Sequence, residues 1–176
     1  MKKFSYFLLF LMLMFCLTAC QAEKNYSIES VTAAGDPAQY KVSVFGRDKS
    51  VIYETTLYGE PEFTTLENGV LRMHTGAGNV TQYSFFDTVQ NRVSPVFENP
   101  ELVQGGKIVY MTLNEGAPQL VVRDIFDETV FYRTYDRNFS KTAVLISAVF
   151  TDANTLQVTY LSGENFEEVE ETLRLQ

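Results

Sequence analysis

The sequence has no tryptophan, a single histidine and two cysteines among its 176 residues. Both cysteines, Cys16 and Cys20, fall within the first twenty positions. Everything after Cys20 is therefore without a thiol, which excludes cysteine nucleophiles, cysteine-ligated zinc, iron–sulfur clusters and disulfides from the body of the protein. Its stability must come from a packed apolar core. One histidine, His74, leaves no basis for a multi-histidine metal site. A catalytic histidine also needs a nucleophile or carboxylate brought to it in space, so we expect His74 to be a surface or inter-sheet side chain. There is no Asp-x-Asp-x-Asp run of the kind calcium loops use, and no Gly-x-Ser-x-Gly nucleophile elbow. The Gly-x-Gly in Thr75-Gly76-Ala77-Gly78-Asn79 has no helix behind it, so it reads as a strand reversal and not a phosphate cradle. No cofactor and no metal are expected.

Helical periodicity is also lacking. From Tyr26 onward nearly every segment has the period-two alternation or the β-branched and aromatic content of a strand. Tyr40-Lys41-Val42-Ser43-Val44 alternates cleanly, and Val70 to His74 places Leu71 and Met73 on one face. Thr142 to Phe150 is apolar on both faces, as in a buried central strand. Glu164 to Leu175 is read as a strand with Glu171 as a misfit; its glutamates would guard an exposed sheet edge. Turn signals separate the strands, among them Gly46-Arg47-Asp48, Gly105-Gly106, Asn114-Glu115-Gly116 and Asp152-Ala153-Asn154. Asp48, Asp87 and Asp127 recur at intervals of about 40 residues, the size of a four-stranded propeller blade. Each is expected to cap its turn through its own carboxylate.

The fold class expected is all-β: an antiparallel meander of repeated units of about 40 residues, forming a propeller-like or strongly twisted open assembly, or else a sandwich or barrel. The likeness to propeller-like repeat units covers roughly Tyr40 to Leu175 and lacks Trp-Asp or Gly-His signatures.

The start of the chain is of another kind. Lys2 and Lys3 precede an apolar run from Phe4 to Leu17, followed by Leu17-Thr18-Ala19-Cys20. A basic start, a short apolar stretch and small residues at the cut describe a secretory signal, and the run is too short to span a bilayer comfortably. With the Leu-Thr-Ala-Cys tetrapeptide, it resembles the signal and lipobox of bacterial lipoproteins. That resemblance implies residues 1–19 as a cleaved signal and Cys20 as the lipidation site, carrying a diacylglyceryl anchor. It also implies an extracytoplasmic address on the membrane; residues 20–25 are then a short polar tether, and the length and strand pattern of residues 26–176 predict a single all-β domain.

Losing Lys2 and Lys3 with the signal leaves 12 basic against 22 acidic residues, a net charge of −10. Such a balance argues against DNA, RNA or other polyanions as partners, and against a basic face hugging the membrane. The tyrosines Tyr53, Tyr58, Tyr83, Tyr110, Tyr132 and Tyr135 serve equally as strand residues and as a recognition surface. The expected role is non-catalytic: a membrane-tethered binding or accessory module for a protein, peptide or glycan near the cell surface. The alternative is an envelope hydrolase using a carboxylate pair.

Overall fold

The structure, a computed structural model, describes residues 24–33, 36–66, 69–77 and 80–175. Cys20 and the rest of the signal and lipobox lie outside the described residues. No α-helix occurs among the described residues, and none of their sheets closes into a barrel.

Four antiparallel meanders follow one another along the chain. The first sheet is β1 (Tyr26–Ser30), β2 (Gln39–Phe45) and β3 (Val51–Tyr58). The second holds β4 (Glu62–Thr65), β5 (Val70–Ala77), β6 (Val80–Asp87) and β7 (Arg92–Val93), with β8 (Phe97–Glu98) pairing back onto β6. The third holds β9 (Leu102–Gln104), β10 (Lys107–Asn114), β11 (Ala117–Asp124) and β12 (Tyr132–Asp136). The fourth is β13 (Leu145–Asp152), β14 (Thr155–Ser162) and β15 (Glu167–Arg174). The units therefore differ in strand number and are not uniformly four-stranded.

Three apolar cores lie in the three seams between successive sheets. Val42 and Val44 of the first sheet meet Leu71, Met73 and Phe86 of the second. Phe85 and Phe97 of the second meet Ile108 and Ile125 beside the third. Val109, Leu120 and Val122 of the third meet Leu156, Val158 and Leu173 of the fourth. Side chains alternate across a strand, so neighbours such as Phe85 and Phe86, or Ile108 and Val109, serve opposite seams. Both pairs are wholly buried. The two inner sheets are thus covered on both faces, and their strands carry apolar doublets for that reason.

The outer sheets are covered on one face only. In the first, Lys41 pairs with Glu54 at 3.0 Å and Ser43 Oγ donates to the same carboxylate, on the side away from Val42 and Val44. In the fourth, β14 alternates strictly: Leu156, Val158 and Tyr160 are buried, while Gln157 and Thr159 are half-buried on the other side. Polar outer faces end the row of sheets, as capping units do in stacked repeats.

One expectation is corrected here. Thr142 to Phe150 is not a buried central strand: β13 is an edge of the last sheet, and Ile146 and Val149 are 48% and 53% exposed. A run apolar on both faces marks a central strand only when a second sheet covers it, and none of the described residues does so. Register shifts at Leu145/Ser147 and Phe150/Asp152 interrupt β13; bulges of this kind hinder edge-to-edge pairing. Asn25 O accepts from Phe45 N at 2.8 Å, and Asn25 Nδ2 donates to Thr88 Oγ1 at 3.2 Å, which fixes this residue to the first two sheets.

Within Glu164 to Leu175 the structure has the strand β15 over Glu167–Arg174, Glu164 to Phe166 lying in the turn before it, and the misfit has a partner. Glu171 points into the third seam, where Arg137 Nε and Nη2 donate to its two oxygens at 2.8–3.0 Å. These bonds from Arg137 lower the Glu171 pKa against the opposing effect of burial. A bidentate pair at about one-third exposure is expected to stabilise the fold by roughly 1 kcal/mol. Glu171→Gln should lower the urea midpoint correspondingly, and an unchanged midpoint would show the pair to be energetically idle.

Candidate functional site

The strand registers give the row of sheets two long edges. One carries the β2–β3 turn, Leu66 and Gly69, the β6–β7 turn, Gly105-Gly106, the turns after Asp124, and the β13–β14 turn. Lys24, the first described residue, lies at this edge, which we call proximal. The distal edge carries the β10–β11 and β14–β15 turns and the links between sheets.

The recurring aspartates are proximal, and each is occupied by its own turn, as expected. Asp48 accepts from Ser50 N at 3.1 Å and Ser50 Oγ at 2.6 Å. Asp87 accepts from Val89 N, Gln90 N and Arg92 Nη2. Asp127 accepts from Thr129 N and Oγ1. Asp124 and Asp152, not among the recurring set, do the same for Phe126, Asp127 and Asn154. Hydrogen bonds from Ser50, Thr129 and Asn154 lower the pKa values of Asp48, Asp127 and Asp152. For Asp87, burial raises the pKa, but Arg92 and the two backbone N–H groups together outweigh it.

A carboxylate whose folded-state pKa is depressed contributes stability above its unfolded pKa and loses it as pH falls through the folded value. Asp48, Asp87, Asp127, Asp152 and Glu171 all act in this sense. Glu101, raised by burial, acts in the opposite one. Stability should therefore be level above about pH 5 and fall below about pH 4, where unfolded carboxylates take up protons. A urea midpoint that rises from pH 5 to pH 3 would contradict this.

Each seam opens as a cleft on the proximal edge. The first, between sheets one and two, has a volume of about 600 Å³; Tyr26, Phe63 and Leu71 form its apolar wall, and Lys24 and Arg47 are its cations. The second, about 360 Å³, lies between Leu66 and Val70 on one side and Val103 and Phe126 on the other. The third, about 350 Å³, joins Gln104 and Lys107 to Phe150 and Asp152. A smaller distal cleft of about 200 Å³ lies between Tyr58 and Gln82, with Glu60 at its rim. Each of these is lined by at most one carboxylate.

The first cleft is the most differentiated. Tyr26 and Phe63 stack with ring centroids 4.0 Å apart, and Lys24 Nζ lies 5.4 Å from the Tyr26 centroid. Arg47 is exposed, held at the rim by its backbone N–H, which donates to Thr88 O at 2.7 Å. Among the described residues, no carboxylate lines this cleft. Sequence reading noticed Arg47 only as part of a turn and passed over Lys24, Tyr26 and Phe63. Tyr26 and Phe63 are 37 positions apart, and no local pattern joins them.

The residues singled out from sequence are mostly structural. His74 lies on the side of β5 facing the third sheet, 3.4 Å from Glu62 and stacked on Tyr83 at 5.1 Å. Among the described residues, no group of three or more His, Cys, Asp or Glu is placed to hold a metal ion. Tyr53, Tyr83, Tyr110 and Tyr135 pack against the seams, and Tyr135 Oη donates to Arg174 O at 2.9 Å. Tyr58 and Tyr132 are exposed.

Comparison with protein families, curated proteins and solved structures finds no match to this chain.

Proposed function

We propose that the protein is a bacterial lipoprotein, lipid-anchored through Cys20 on the extracytoplasmic face of the membrane, and that its body is a non-catalytic binding or accessory module for a protein, peptide or glycan at that surface. The observation that carries this reading is the position of Lys24. It lies four residues after Cys20, at the edge where the three seams open. Four residues reach about 14 Å when extended, so an anchored Cys20 keeps that edge beside the bilayer. The clefts favour binding over hydrolysis, because none has the two facing carboxylates that glycoside hydrolysis uses. We read the four meanders as divergent forms of one propeller-like unit, stacked in an open row and ended by the polar faces of the first and last sheets.

The test is the mature N-terminus and its distribution. Mass spectrometry of the membrane form should find Cys20 as the first residue, with its acyl mass. Cys20→Ala should leave an unprocessed precursor without acyl chains. A wild-type chain beginning after Cys20, or one with no acyl mass, would overturn the proposal.

A further inference from the structure

The overall acidity of the chain is unevenly placed. At the distal edge, Glu60, Glu62, Glu98, Glu115, Glu164 and Glu167 gather in turns and strand ends, against Arg137 and Lys141. At the proximal edge, Lys24, Arg47, Lys49, Arg92, Lys107 and Arg174 offset the turn aspartates. Among the described residues the proximal edge is therefore close to neutral while the distal edge is strongly anionic. Near a negatively charged surface such a body has a preferred orientation, with the distal edge repelled. That orientation also brings Lys24, four residues after Cys20, to the membrane side.

Within the proximal edge, the first cleft differs from the others in composition. Among the described residues it has two cations, Lys24 and Arg47, no carboxylate, and an apolar wall of Tyr26, Phe63 and Leu71. Asp48 lines with Arg47 the adjoining pocket on the Val89 side, outside this cleft, and its carboxylate accepts from Ser50. Cations over an apolar wall match a phosphodiester joined to a hydrocarbon portion. Arginine and lysine are the usual partners of phosphate oxygens, and a stacked aromatic pair suits the boundary between headgroup and acyl chain.

We propose that this cleft holds the headgroup phosphate of an anionic phospholipid in the membrane to which the chain is tethered, Lys24 and Arg47 pairing with the phosphate while Tyr26 and Phe63 face the acyl boundary. The identification of the occupant as lipid rests on the lipoprotein reading, since the tether places the cleft at the bilayer. The site orients the body, keeping the proximal edge down and presenting the acidic distal edge outward.

All four sheets and all three cores lie within residues 24–175, so a chain of residues 21–176 retains the whole fold and binds vesicles, if at all, without an acyl anchor. It should co-sediment with phosphatidylcholine vesicles containing phosphatidylglycerol, and not with phosphatidylcholine alone. Lys24→Gln with Arg47→Gln should weaken that binding about 25-fold, at roughly fivefold for each cation near an anionic surface. The distal control Lys141→Gln should leave it unchanged. Both substituted cleft residues are exposed, so an unaltered urea midpoint will confirm that the double variant is folded. Equal binding to neutral vesicles, no binding to either, or undiminished binding by the double variant would each overturn the proposal. Displacement by millimolar inorganic phosphate would assign the cleft to free phosphate and overturn the lipid occupant. Because this chain lacks Cys20, failure here leaves the lipoprotein reading intact, and a chain not acylated at Cys20 leaves the vesicle result intact.

Discussion

Deleting residues 164–176 is expected to abolish the cooperative folding of the last sheet. β15 is paired with β14 along eight consecutive positions, from Ser162↔Glu167 to Thr155↔Arg174. It also supplies Leu173 and Leu175 to the third core, and Leu175 N donates to Asn154 O at 2.8 Å. Loss of a buried leucine side chain costs about 2–5 kcal/mol, so removing two approaches the roughly 5–15 kcal/mol by which a domain of this size is stable. Arg137 would lose Glu171 as well, leaving a guanidinium beside an opened core. The truncated chain should show a much lower melting temperature and early proteolysis after residue 140. An unchanged melting temperature would identify the segment as a dispensable tail.

Phe86→Ala should destabilise the protein by about 3–5 kcal/mol and should do so at one seam. Phe86 is fully buried between the first two sheets, tilted against Tyr53 with ring centroids 5.0 Å apart, among Val42, Val44, Leu71 and Met73. Phe85, its immediate neighbour, is equally buried but faces the other way, 6.0 Å from Phe97 in the second seam. Stacked units that contact only their neighbours lose stability locally. Hydrogen exchange in Phe86→Ala should therefore accelerate most in β1 to β3 and least in β13 to β15. Phe85→Ala should instead affect β9 to β12. Uniform acceleration across all four sheets in both variants would show that the row unfolds as one unit and would refute the local account.

Legibility from sequence follows the range of the interaction involved. Strand positions and turns are largely readable because alternation and turn chemistry act over two to four residues. Asp48, Asp87 and Asp127 illustrate this, since each accepts hydrogen bonds from residues two or three positions on. The segment Glu164 to Leu175 is readable as a strand for the same reason. What its sequence does not explain is the inward Glu171, because Arg137 is 34 residues away. β13 shows the opposite failure. Its apolar content on both faces is the pattern of a central strand, yet covering such a strand requires a neighbouring sheet, and the order in which sheets stack is a non-local property. The candidate cleft is less legible still. Arg47, Tyr26 and Phe63 come from three separate elements and have no common motif.

The amino-acid sequence alone determined the all-β class, the positions of most turns, the thiol-free body, and the resemblance of its first twenty residues to a lipoprotein signal. Each of these depends on composition or on neighbours along the chain. Only the tertiary structure decided that four meanders stack in a row, that Phe85 and Phe86 serve different cores, and that glutamates gather at the distal edge while basic residues and turn aspartates share the proximal one. Those outcomes depend on which sheet faces which and on the direction in which each strand runs. Contacts between residues tens of positions apart settle both, and only the folded chain brings such residues together.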